Sequence, residues 1–168
     1  MIRKAQSKDV EAIFKLIDLY ATRGQMLHRT SKEITNQIDD FLVSEQDGKI
    51  TGICSLKYGW NNLIEIRSLA VLPNYYRQGF GSEIVRECID HALQNHNAEG
   101  IFVLTYAVPL FQKLGFEIIP KSTLPLKVWE DCMECFKRKN CDEVAMFRSL
   151  KSARNSYISS NTMPTALT

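Results

Sequence analysis

Glu65-Ile66-Arg67-Ser68-Leu69-Ala70-Val71-Leu72-Pro73-Asn74-Tyr75-Tyr76-Arg77-Gln78-Gly79-Phe80-Gly81-Ser82 changes character twice. Leu63 to Val71 is β-rich, and Pro73 ends the strand. Gly79 and Gly81 then lead into a run with Ile84, Val85, Cys88, Ile89, Ala92 and Leu93 at helical spacing. A strand that feeds a glycine loop at a helix start offers unpaired backbone N–H groups to an anion, and the helix dipole adds favourable potential. Glycines at 79 and 81 let the backbone approach such a ligand closely. The stretch therefore reads as a pyrophosphate cradle. Two glycines before a helix also occur in ordinary strand-to-helix turns, so the surroundings have to decide.

Upstream, Ile2 to Ala5 reads as a short strand and Ser7 as the N-cap of a helix bearing Val10, Ile13, Phe14, Ile17 and Tyr20, closed by Gly24. A short second helix is expected from Thr30 or Ser31, with Ile34 and Ile38 on one face. Strand character begins at Phe41, turns at Asp47-Gly48, returns over Lys49 to Tyr58 and turns again at Asn61-Asn62. With Leu63 to Val71 these runs make an antiparallel meander. Downstream, Ile101 to Leu104 is a short apolar run that suits a buried strand of a mixed sheet. Pro109 opens a short helix, Gly115 stops it, and Phe116 to Ile119 starts another strand. After a Pro- and Cys-containing segment from Leu124 to Cys141, the last strand is expected over Val144 to Leu150. Residues 1–150 are thus expected to form one domain, and 151–168, rich in Ser, Asn and Thr, a disordered tail.

The balance of the chain excludes several classes. The formal net charge is +2, and Lys and Arg are interspersed with Asp and Glu along the chain rather than concentrated in a basic stripe, so nucleic acid is not an expected partner. No apolar run approaches the roughly 20 residues of a spanning helix, and the N-terminus has no signal-peptide core, so no membrane association and a cytoplasmic location are expected. The five cysteines read as reduced thiols. Cys132, Cys135 and Cys141 cluster, but a structural zinc site takes four ligands and only a distant His28, His91 or His96 could complete one. Free thiols are the favoured reading, and no metal is expected.

Residues Glu65 to Leu93 resemble the acetyl-CoA-binding motif of the GNAT acetyltransferase superfamily, and Phe111-Gln112-Lys113-Leu114-Gly115-Phe116 resembles its later helix-to-strand signature. The order of strands and helices over residues 2 to about 150 agrees. The resemblance implies an α/β (α+β) fold with a mixed, mostly antiparallel twisted sheet flanked by helices and a glycine loop at a helix N-terminus. It implies acetyl-CoA as co-substrate, held by Leu69, Ala70, Val71, Arg77, Gln78, Gly79, Phe80, Gly81 and Ser82. One departure stands out: the family carries Arg or Gln three residues before the first loop glycine, and here Tyr76 is there, with Arg77 displaced by one. A Rossmann fold is disfavoured because the glycine loop follows a meander rather than opening a βαβ series.

Glu65 to Val71, Phe102-Val103-Leu104-Thr105 and Leu124-Pro125-Leu126-Lys127 narrow the resemblance to the acetyltransferase domain of N-acetylglutamate synthases, in particular short single-domain relatives. Trp129 to Cys135 and Cys141-Asp142-Glu143 resemble the same short group. The implied reaction moves an acetyl group to the α-amino group of an amino acid, L-glutamate in arginine biosynthesis. Such a reaction needs a neutral amine, so a base must take a proton from the ammonium form. The resemblance places Glu65 in that role and Thr105 where the synthases have a hydroxyl near the sulfur. Phe111 stands where many GNAT enzymes have a tyrosine that protonates the thiolate leaving group. For an acidic substrate the candidate cations are Arg29, Arg67 and Lys127, and Arg67 shares a strand face with Glu65 if the strand is regular. The partner is then a small-molecule amine, and a homodimer is compatible with the sequence. Two other readings stay open: a GNAT enzyme for a protein N-terminus, polyamine or antibiotic, and a non-catalytic acyl-CoA-binding regulator.

Overall fold

The computed structural model describes residues 1–95, 97–125 and 141–151. Among these residues the sheet has seven strands in the order β1-β2-β3-β4-β5-β7-β6. They are β1 (Ile2–Lys4), β2 (Phe41–Gln46), β3 (Lys49–Trp60), β4 (Leu63–Val71), β5 (Gly100–Thr105), β6 (Glu117–Ile118) and β7 (Val144–Ser149). Of the described strands, β4 and β5 run parallel, and every other neighbouring pair is antiparallel. The helices are α1 (Val10–Ala21), α2 (Ser31–Asn36), α3 (Phe80–Gln94) and α4 (Val108–Lys113). The fold is thus the expected mixed, mostly antiparallel sheet flanked by helices.

Turn chemistry fixes the meander. Asp47 and Gly48 both take positive φ, 49° and 76°, the backbone that matches strand twist in a two-residue hairpin. Asn61, at φ 59°, makes the next reversal, and the β3–β4 ladder restarts at Trp60 opposite Leu63. Thr30 caps α2 as expected: its hydroxyl accepts the Glu33 amide, and the Glu33 carboxylate accepts the Thr30 amide. At α1 the sequence reading needs correction. Ser7 is not a cap but the first residue of a 3-10 turn, Ser7–Asp9, and the Gln6 amide donates to the Asp9 carboxylate at 2.8 Å. Asp9 prevails because it also takes a two-bond ion pair from Arg3 on β1, at 2.7 and 3.0 Å. The strand expected over Phe116 to Ile119 shortens to Glu117–Ile118, and β7 stops at Ser149.

Apolar side chains divide between the two sheet faces. On one, α3 packs Ile84, Val85, Cys88, Ile89 and Ala92 against strand residues that include Leu56, Ile64, Ile66, Ile101 and Val103. On the other, α1 packs Ile13, Leu16, Ile17 and Tyr20 against Phe41, Val43, Ile53 and Ala70. A third cluster, Phe102, Leu124 and Ala145, continues that second face beyond β4. Each fully buried isoleucine contributes roughly 1.5–3 kcal/mol. Along β4 the α3 face takes Ile64 and Ile66 but then Leu69 and Val71, so the alternation slips by one. The cause is a β-bulge. Ile53 faces Ala70 while Ser55 faces Arg67, and the extra residue is accommodated at Ser68, whose φ is 51°.

Candidate active site

Pairing between β4 and β5 ends at Ile66 opposite Val103, although β5 continues through Thr105 and β4 through Val71. The bulge at Ser68 follows two residues further along β4. Two parallel strands therefore part in the middle of the sheet, and the glycine loop lies at the end of one of them.

The loop forms the start of α3. Gly79 is the N-cap of α3 with φ 89°, a conformation in which an L side chain is strained. The first bond of α3 runs from the Glu83 amide to the Gly79 carbonyl, so the amides of Phe80, Gly81 and Ser82 precede the ladder. Gln78 closes the loop on itself through its side-chain amide to the Asn74 carbonyl, and Tyr75 meets Phe80 edge to face at 5.5 Å. Gly81 is different from Gly79. Its backbone needs no glycine, and a Cβ added there would meet nothing closer than 3.9 Å, the methyl groups of Leu110 and Val71. Protein packing and backbone conformation therefore do not require glycine at 81. Leu69, Ala70 and Val71 form the end of β4 that leads into the loop, and Arg77 takes positive φ, 58°.

Tyr76, the residue that departs from the family pattern, has a partner. Its hydroxyl is hydrogen-bonded to that of Tyr20 on α1, and Tyr20 donates to the Val71 carbonyl. Burial and the Tyr76 contact push the Tyr20 phenol well up from its ordinary value, so it stays a donor.

Glu65 is a carboxylate only 7% exposed on the face of β4 turned away from α3. Its flanks are Phe102 on β5 and Lys57 on β3, which stand opposite it in the two ladders. The Arg67 Nε lies 3.9 Å from its Oε1. Arg29 joins the same face: its guanidinium sits over the Phe41 ring at 5.7 Å and its Nη1 donates to Gln37 at 2.9 Å. Phe41 faces Ser55, and Ser55 faces Arg67, so the Arg29 anchor is two strands, roughly 10 Å, from the strand carrying Glu65. Of the expected substrate cations, Arg67 and Arg29 therefore share the face of Glu65, and Lys127 lies outside the described residues.

Thr105 ends β5 and is 8% exposed; its hydroxyl oxygen accepts the Ala107 amide at 2.8 Å, which leaves its proton to donate elsewhere. Phe111 is fully buried and packs edge to face on Phe116 at 5.1 Å, so the position is part of the core. Sequence reading missed Lys57 and Tyr20. Lys57 becomes visible only through β3–β4 register, and Tyr20 has the spacing of an ordinary apolar-face aromatic of α1. No group of three or more His, Cys, Asp and Glu is placed to hold a metal among the described residues, and Cys132, Cys135 and His96 lie outside them.

Comparison with known proteins agrees with this architecture. The family model described as Acetyltransferase (GNAT) family matches residues 10–116. An uncharacterized N-acetyltransferase of Chlorobaculum tepidum is 36% identical over 89% of this chain and 96% of its own. An amino-acid acetyltransferase of Mycobacterium tuberculosis is 30% identical over 78% of this chain and 76% of its own. Among solved structures, N-acetylglutamate synthase from Neisseria gonorrhoeae, complexed with coenzyme A and N-acetyl-glutamate, superposes with a TM-score of 0.79 at 28% identity. That match covers 89% of this chain and 35% of the synthase chain.

Proposed function

This chain belongs to the GNAT acetyltransferase family and is an acetyl-CoA-dependent N-acetyltransferase, and from that premise we propose that its acceptor is the α-amino group of an acidic amino acid, L-glutamate. The observation that carries the reading is a nearly buried carboxylate, Glu65, sharing one sheet face with Arg67 at 3.9 Å and with Arg29 over Phe41. An amino-acid substrate needs both a proton acceptor for its ammonium group and cations for its carboxylates. The relatives support the choice, since the Neisseria synthase was solved with N-acetyl-glutamate.

In this reading the amides of Phe80, Gly81 and Ser82 hold the pyrophosphate, with Arg77 and Gln78 beside it, and Leu69 to Val71 line the course toward the reacting end. The acetyl thioester supplies an electrophilic carbonyl carbon. Arg67 and Arg29 hold the carboxylates of glutamate and orient its amine, with Lys127 assigned to the side-chain end by resemblance alone. Glu65 takes a proton from the ammonium group, directly or through a water, so that the nitrogen lone pair can form the new C–N bond. The bulge at Ser68 turns the end of β4, with Leu69 to Val71, away from the regular ladder with β3. As the C–S bond breaks, Thr105 donates a hydrogen bond to the departing sulfur, which needs no full proton transfer because a thiolate is a competent leaving group. An amino-acid panel assayed by release of free coenzyme A thiol tests the assignment. Preference for glutamate supports it, and preference for an uncharged or cationic amine overturns it while leaving the acetyltransferase activity in place.

A further inference from the structure

Tyr20 touches both halves of the site. Its phenol, on a residue only 8% exposed, donates to the Val71 carbonyl at the end of β4 and is bonded to the Tyr76 hydroxyl in the glycine loop. Its backbone carbonyl accepts the amides of Arg23 at 3.2 Å and Gln25 at 3.0 Å, which begin the segment leading to Arg29. One residue thus holds the start of the Arg29 segment by its backbone and the cofactor loop by its side chain.

We propose that Tyr20 and Tyr76 are positioning residues that make binding at the cofactor loop and the order of the Arg29 segment mutually dependent. The proposal rests on the reading of the loop as the acetyl-CoA site. The loop needs external support: Arg77, an L residue, takes φ 58°, and such a conformation is unfavourable unless the surroundings impose it. The Gln78 to Asn74 bond closes the loop only on itself, whereas the Tyr76 to Tyr20 bond fixes it to a buried residue of α1. A tyrosine at 76 supplies neither the guanidinium nor the amide that the family pattern puts there; its contribution is attachment to α1. A ligand that orders Tyr76 then orders Tyr20 and the turn Tyr20 nucleates, and by thermodynamic reciprocity an amine held through Arg29 tightens the loop.

Calorimetry with coenzyme A on the wild type, Tyr20→Phe, Tyr76→Phe and the double variant, together with hydrogen exchange of peptides covering 22–29, tests the pair. Tyr76 is 47% exposed, so Tyr76→Phe removes a hydroxyl without disturbing a packed core. Each single variant should weaken coenzyme A binding about fivefold, the effect of one net hydrogen bond, with the double variant no weaker than the poorer single. Coenzyme A should slow exchange over 22–29 in the wild type but not in Tyr76→Phe, a difference that a purely structural role of the phenol would not produce. Tyr76→Phe should also raise the KM for acetyl-CoA while kcat stays within about twofold. Unchanged affinity in both single variants, multiplicative losses in the double, or no protection of 22–29 in a wild type that binds coenzyme A would overturn the pair. Failure of the wild type to bind coenzyme A would instead overturn the reading of the loop itself.

Discussion

The Arg67 Nε stands 3.9 Å from the Glu65 Oε1, with both side chains on the one face of β4 and the bulge beginning directly beyond them. At that separation the two are in charge contact rather than hydrogen-bonded. Were the bulge one residue earlier, the alternation would slip before position 67 and send the guanidinium to the α3 side. The placement of the bulge at Ser68 therefore decides that a carboxylate and a cation share one face of the sheet.

Glu65→Gln keeps the shape of the side chain and removes its basicity. The turnover number should fall by roughly 10²–10⁴ near neutral pH. The loss should shrink as pH rises, because more of the amine is then already neutral. A pH–rate profile checks this, and a loss of the same size at every pH would show that Glu65 is not the base.

Arg67→Ala should raise the KM for glutamate by about 10–100-fold, the range for a charge-assisted hydrogen bond of about 1.5–3 kcal/mol. Coenzyme A affinity should change little, since the loop amides are not touched. Parallel titrations with glutamate and coenzyme A separate the two effects.

Much of this arrangement is legible locally. Asp47-Gly48 and Asn61 announce their turns because positive φ selects those residues, and Pro73 bounds β4 where the sequence places its end. The loop glycines and α3 follow from the same rules. The bulge at Ser68 is not legible, since serine has no marked preference for φ 51° and only the mismatch with β3 imposes it. Lys57 opposite Glu65 and Tyr20 beside Tyr76 depend on pairing between distant parts of the chain. Local preference favours Ser7 as the N-cap, and Asp9 displaces it through a partner, Arg3, on another element.

That Arg3–Asp9 pair sets an acid-stability prediction. Asp9 is 4% exposed, and its hydrogen bonds from Arg3 hold the carboxyl below its usual range, with the Gln6 amide adding to the effect. A depressed folded value means that the pair contributes its full stability above the unfolded value of about 3.9 and loses it as pH falls through the folded value. Arg3→Met leaves Asp9 and Glu45 without their shared cation and should cost on the order of 3 kcal/mol at pH 7. Melting curves of the two proteins should converge as pH drops below about 4. A constant gap across that range would show that the loss is packing by the Arg3 stem.

Gly81→Ala gives the most direct test of the loop, because the structure separates what the fold requires from what a ligand requires. At Gly79 any L residue is strained by φ 89°, so a loss of binding there could reflect a distorted loop. At Gly81 the backbone is helical, and an added methyl group would lie 3.9 Å from Leu110 and Val71, an ordinary contact. Alanine is also the better helix former, by about 0.8–1.0 kcal/mol in a helix interior and less at this first-turn position. Thermal stability should therefore hold or rise slightly. Coenzyme A affinity should nonetheless fall, by about tenfold or ~1.4 kcal/mol, since the methyl group occupies space at the amides proposed to bind the pyrophosphate. A rise in melting temperature paired with a loss of affinity can come only from a ligand that approaches the Gly81 backbone closely. Undiminished affinity in the folded variant would move the pyrophosphate away from the start of α3.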